Sequence, residues 1–196
     1  MDSTVLPGLR RTLVVATAVI STACANEAPI GPDSGPGLDP HRTPTLATSR
    51  APELGTCQNL QPPAGSKLVF HVYAAGVQIY HWNGTGWSFD GPSAVLSADA
   101  GGKSTVGTHY AGPTWESNSG GTVVGTVSQR CTPDTNAIAW LSLTAKSNGP
   151  GIFHRVNFIQ RVNTVGGKSP AEAGDFVGEV ARVPYTAEYY FYRKHQ

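Results

Sequence analysis

Short alternating segments, cut by glycine, proline and asparagine, constrain this chain more than any other feature. Leu68-Val69-Phe70-His71-Val72-Tyr73 alternates as a half-buried strand does, and Val77-Gln78-Ile79-Tyr80-His81-Trp82 repeats the pattern. Asn83-Gly84-Thr85-Gly86 then supplies residues that tolerate positive φ, and Trp87-Ser88-Phe89 resumes the alternation, which reads as a hairpin. Residues 122–128, 137–145, 152–162 and 185–192 are further strands, with Gly, Pro or Asn between them. Only Pro170-Ala171-Glu172-Ala173 reads as a helical turn. Charged residues make up 14% of the chain, against 23 glycines and 15 prolines, a balance that favours turns and short strands over surface helices. The pattern predicts a single all-β domain, a sandwich or a barrel. No repeat of fixed period is visible, which argues against propellers and solenoids.

The domain does not start at residue 1. Arg10 and Arg11 precede the apolar run 13–20, which closes on Ser21-Thr22-Ala23-Cys24-Ala25, so residues 1–24 read as an export signal peptide. The run is too short to span a bilayer, which takes roughly 20 apolar residues. Cys24 stands where a lipoprotein signal is cut, although Ser21 occupies a position where Leu is usual. A lipid on Cys24 would anchor the protein to the membrane of the cell envelope. Ala23-Cys24-Ala25 also fits the A-x-A cleavage rule, in which case the protein is secreted without an anchor. The arginine pair is a weak pointer to twin-arginine export. Residues 25–56 read as a disordered linker rich in Pro and Gly: residues 26–55 hold six of the prolines and no aromatic side chain. Every Trp, Tyr and Phe falls within residues 70–192, and residues 57–196 are long enough for one core. Cys57 and Cys131 are left as an even pair in an oxidising compartment and are expected to form a disulfide.

Loss of the signal removes Arg10, Arg11 and Asp2 and leaves equal numbers of basic and acidic residues. Such a chain has no electrostatic footprint for nucleic acid or for an anionic membrane surface. Nucleophile-elbow, zincin, Cys-x-x-Cys, Walker and dinucleotide signatures are all absent, so no cofactor is expected. The six histidines show no recognised metal spacing, and no metal site is expected, although His71 and His81 could meet across paired strands.

Two clusters could carry chemistry. Gly107-Thr108-His109-Tyr110-Ala111-Gly112-Pro113-Thr114-Trp115-Glu116 places an imidazole, a phenol, an indole and a carboxylate on what reads as a loop shaped by Gly and Pro. His109 and Trp115 either line a site or tie the loop down by hydrogen bonds. Gln160-Arg161-Val162-Asn163-Thr164 is the second, with Gln160 and Arg161 on opposite faces of a strand. Arg161 can hold a ligand carboxylate, but an internal partner such as Glu116 or Glu188 is the preferred reading. The aromatic ladder Tyr185–Tyr192 is better read as core than as a ligand platform.

The order Gly76-Val77-Gln78-Ile79-Tyr80, Pro92-Ser93-Ala94-Val95-Leu96, Gly107 to Trp115, Ile138-Ala139-Trp140-Leu141, Ile159 to Gly167 and Val183 to Tyr192 resembles the DUF3455 family. The resemblance covers about residues 60 to 193 and implies an exported domain of unknown function, with no activity to carry over. It also implies a cysteine pair at two positions that here are Trp82 and Gly174, both lost together as one bridge would be. An Asp-Gly-Ser expected after the family's Trp is replaced by Ser119-Gly120-Gly121. The leading expectation is an exported envelope protein acting as a non-catalytic binding or structural module, for a carbohydrate or another small ligand. Its candidate site is His109, Tyr110, Trp115, Glu116, Gln160 and Arg161. The alternative is a secreted hydrolase or lyase with His109 as general base and Glu116 or Glu188 as its partner. A purely mechanical role follows if His109 and Arg161 are wholly packed.

Overall fold

The alternating segments form eight antiparallel strands in the computed structural model, which describes residues 50–194. The export signal, Cys24 and the linker as far as residue 49 lie outside the described residues. The strands are β1 (Ser66–Trp82), β2 (Trp87–Ser97), β3 (Thr105–Tyr110), β4 (Thr114–Ser117), β5 (Thr122–Cys131), β6 (Trp140–Asn148), β7 (Phe158–Gly166) and β8 (Val180–Lys194). Each pairs with the next, and β8 returns to β1, so the sheet is a closed barrel. Closure rests on the two longest strands, which pair from Ser66↔Lys194 to His81↔Val180. A closed sheet has no free edge to protect, which a sandwich would leave.

Residues opposite each other in an antiparallel ladder project from the same face. The register therefore traces the interior from strand to strand. Ala94 pairs with His109, His109 with Trp115, and Trp115 with Val123. On the other side Leu141 pairs with Arg161, Arg161 with Tyr189, and Tyr189 with Val72. Phe70, Val72, Leu96, Val123, Leu143, Ile159 and Phe191 are buried there as the main core. One end of the barrel is plugged by the segment between β6 and β7. Its Phe153 ring lies 5.0 Å from that of Phe191 and 5.7 Å from that of Phe70. The opposite end remains hollow.

A second cluster covers part of the outer face. Leu54, Cys57 and Leu60 pack over Phe158, Val162, Tyr190 and Tyr192. A 3-10 turn at Gln58–Leu60 shapes this segment. The Cys57–Cys131 disulfide fastens it to β5, with a Cα separation of 5.7 Å. Asn59 Nδ2 donates to the Arg130 carbonyl at 3.1 Å, and Gln160 Nε2 donates to the Leu60 carbonyl at 2.7 Å. Tyr192 donates its hydroxyl proton to Gln160 Oε1. The disulfide is the pairing expected from the cysteine count.

Four local readings change. β1 is one continuous strand where two segments were expected, and the expected strand 152–162 begins only at Phe158. Residues 149–157 turn instead, because burying Phe153 and Val156 in the barrel end is worth more than extending the ladder. Pro170 to Ala173 is not a helical turn: the Glu172 carbonyl is taken by the Trp87 indole N–H at 2.8 Å rather than by an amide of its own turn. The expected loop around His109 is the hairpin of β3 and β4, with Ala111 to Pro113 as its turn.

Candidate functional site

The hollow end of the barrel holds a cavity of about 400 Å³. Strand parity decides which side chains enter it. In β1 the residues sharing the inward face with Phe70 and Val72 include Gln78 and Tyr80, and both line the cavity. His109 comes from β3, Trp115 from β4, Leu141 and Leu143 from β6, Arg161 from β7 and Tyr189 from β8. Phe89, Val127 and Arg130 stand at the same end of the barrel.

Three aromatic rings form one wall. The His109 imidazole stacks on the Trp115 indole at 4.3 Å and 10°. Tyr189 meets His109 edge-on at 5.1 Å and Trp115 at 5.2 Å. Gly125 makes room for this stack, since a Cβ there would lie 3.0 Å from Trp115 and 2.9 Å from Leu143. His109 and Trp115 are 3% and 1% exposed.

The tautomer of His109 follows from its partner. Nδ1 lies 2.8 Å from the Thr114 carbonyl, which can only accept, so Nδ1 carries the proton and Nε2 keeps its lone pair. Burial holds the imidazole down to about 3, with the Thr114 bond opposing and the Arg161 charge adding to the fall. The ring is therefore neutral at pH 7. It is also a weak base, whereas general-base work needs a pKa near the working pH. No carboxylate orients it.

Arg161 is held at the rim of the cavity. Its Nε and Nη2 donate to the Ala139 carbonyl at 3.2 and 2.8 Å. That carbonyl is fixed in turn, because Ile138 N–H donates to Gly166 O and the Thr164 hydroxyl donates to Ile138 O. The preferred internal ion pair does not form: among the described residues no carboxylate pairs with Arg161. Glu116 accepts from the Tyr110 hydroxyl at 2.9 Å on the outer face, and Glu188 accepts from Asn163 and Tyr190. Neither acid reaches His109, so the dyad of the hydrolase alternative is not assembled.

One cavity atom, Trp115 Nε1, lacks a protein partner among the described residues. Gln78, Tyr185, Tyr189 and Arg161 form a loose polar chain, in which Gln78 approaches the Tyr185 hydroxyl and both Tyr185 and Arg161 approach the Tyr189 hydroxyl, at longer range than the well-formed hydrogen bonds of the fold. Burial raises the pKa of both phenols, and the Arg161 charge partly opposes it, so the guanidinium lies near both. A buried polar atom left unpaired costs about 1–3 kcal/mol, and native proteins keep few of them. Trp115 Nε1 is such an atom on the cavity wall.

The six residues singled out from the sequence thus divide. His109, Trp115 and Arg161 share the cavity. Tyr110 and Glu116 face outward, and Gln160 lies under the N-terminal segment. Gln78, Tyr80, Arg130 and Tyr189 were not singled out, although the parity of Gln78 and Tyr80 with Phe70 was present in the alternation. Among the described residues no three His, Cys, Asp or Glu side chains converge as metal ligands would. His71 and His81 both lie on β1 and do not meet: His71 stacks on Tyr190, while His81 Nδ1 lies 2.6 Å from Asp90.

The model of a family described as "Protein of unknown function (DUF3455)" matches residues 63–193, which include β1 to β7, β8 as far as Arg193, and every residue lining the cavity. No curated protein matches the chain, and no solved structure does.

Proposed function

Since this chain belongs to the DUF3455 family of proteins of unknown function, its role must be read from its own cavity, and we propose that it is a non-catalytic module that binds a small molecule inside the barrel. One observation carries the reading. A cavity of about 400 Å³, within the usual range of small-molecule sites, is walled by apolar and aromatic side chains and carries a buried indole N–H, that of Trp115, without a protein partner among the described residues. Binding explains both the volume and the orphaned N–H. His109 serves as a hydrogen-bond acceptor through Nε2, a role that suits a neutral ring of low basicity.

The reading extends to where the module works: exported, and either held at the envelope by a lipid on Cys24 or secreted. The basic, apolar and small-residue order of the first 25 residues supports export. A disulfide persists in an oxidising compartment, which fits the same reading. Mass spectrometry of the protein from its own host tests the anchor. A lipidated N-terminal Cys24 is expected, and an unmodified N-terminus at Asn26 would contradict it.

The binding proposal is tested by calorimetric titration of the purified protein with 2-naphthylmethanol, a neutral bicyclic probe. Saturable binding at one site per chain is expected. Val127→Trp, which fills the cavity from a half-buried wall position, should abolish it while the protein still melts cooperatively. Binding that survives Val127→Trp rejects the proposal, as does failure of the unsubstituted protein to bind both this alcohol and its carboxylate counterpart, 2-naphthoate.

A further inference from the structure

The geometry points to an apolar carboxylate as the class of molecule that this cavity takes. This inference rests on the binding proposal above and adds the chemistry of the ligand. Its first ground is charge. Arg161 and Arg130 line the cavity, and no Asp or Glu does. Arg161 is half-buried at its rim, uses two of its five N–H groups on one neutral carbonyl and approaches the Tyr189 hydroxyl, so it has no anionic partner among the described residues. A guanidinium among apolar walls gains most from a carboxylate, which it can hold by two parallel hydrogen bonds.

The second ground is the balance of donors and acceptors. Trp115 Nε1 can only donate and has no partner among the described residues, and the Tyr189 hydroxyl, approached by Tyr185 and Arg161, keeps its own proton to donate. Facing them, His109 Nε2 is the one imidazole lone pair among the lining residues. A surplus of donors calls for a ligand rich in acceptors, as a carboxylate is.

The third ground is the body of the site. Leu141, Leu143, Val127, Ile138 and Phe89 supply the rest of the apolar wall. An apolar cavity of about 150 Å³ takes benzene. The volume of 400 Å³ therefore suits a fused bicyclic or a medium-length aliphatic body. A phosphate or other dianion would bring a second charge with no second deep cation to meet it, since Arg130 is exposed at the mouth.

Paired titrations at pH 7.5 test the inference. One probe is 2-naphthoate and the other is its neutral counterpart, 2-naphthylmethanol. The unsubstituted protein is expected to bind the naphthoate at least tenfold more tightly. Arg161→Gln should lose that preference while still binding the alcohol, and Arg161→Lys should keep part of it. If Arg161→Gln does not fold, the comparison on the unsubstituted protein decides alone. Equal affinity for the two probes, or tighter binding of the alcohol, overturns the carboxylate inference and leaves the binding proposal standing. Failure of both probes to bind overturns both.

Discussion

Lowering the pH from 7 to 5 should destabilise the barrel through His109. An unfolded histidine titrates near 6.5, and burial beside Trp115 and Tyr189 holds His109 down to about 3 in the fold. Between those values the unfolded chain takes up a proton that the native state refuses. The stability carried by the neutral ring is therefore whole above pH 6.5. It falls by about 1.4 kcal/mol per unit as the pH drops towards 3. From pH 7 to pH 5 the loss is about 2 kcal/mol. In a domain of this size that lowers Tm by roughly 5–10 °C. His71 is also lowered by burial, with Glu188 opposing, and contributes in the same direction. The comparison is therefore with His109→Gln, whose side-chain amide can still donate to the Thr114 carbonyl. Calorimetric melts of both proteins at pH 7 and pH 5 give the answer. The variant should lose most of the acid-induced fall. A fall of equal size in both proteins would refute the reasoning, as would a native His109 resonance titrating near 6.5.

Two further outcomes follow from covalent geometry. Replacing Cys57 and Cys131 together by Ala should cost on the order of 4 kcal/mol in the chain-entropy account, for a separation of 74 residues. Urea unfolding checks it, and a loss below about 1 kcal/mol would show that the outer segment holds without its bridge. An ideal Cβ on Gly174 lies 2.7 Å from Trp82 Cβ, so the two backbones need to part by only about 1 Å to reach the roughly 3.8 Å of a disulfide. Trp82→Cys with Gly174→Cys should therefore oxidise spontaneously, as the resemblance to a family with cysteines at both positions implies, and two persistent free thiols by thiol titration would contradict it.

β1 and β8 were legible because their alternation is strong and runs long, whereas only the first three residues of β2, Trp87 to Phe89, stood out. Closure was not legible. Whether β8 meets β1 depends on pairing residues more than a hundred positions apart, such as Ser66 and Lys194, and periodicity does not encode a partner. β3 and β4 were read as loop because β4 has only four residues, too few to show a period, and Gly112 and Pro113 stand between the two. The site was half legible. His109, Trp115 and Arg161 stood out as polar or aromatic residues in unusual settings, and Trp115 meets His109 by simple hairpin register. Tyr110 and Glu116 share that hairpin, and parity alone puts them on the outer face. Gln78 and Tyr189 looked like ordinary strand residues, since their importance comes from facing a space that only the closed barrel creates.

The central claim is that the hollow end of this barrel receives a ligand, and intermolecular NOEs test it most directly. With valine and leucine methyl groups labelled and 2-naphthoate bound, the account predicts contacts from the probe to Val127, Leu141 and Leu143, which line the cavity. Contacts confined to the exposed Val95, Val124 or Val165 of the outer face, with none to those three, would contradict it.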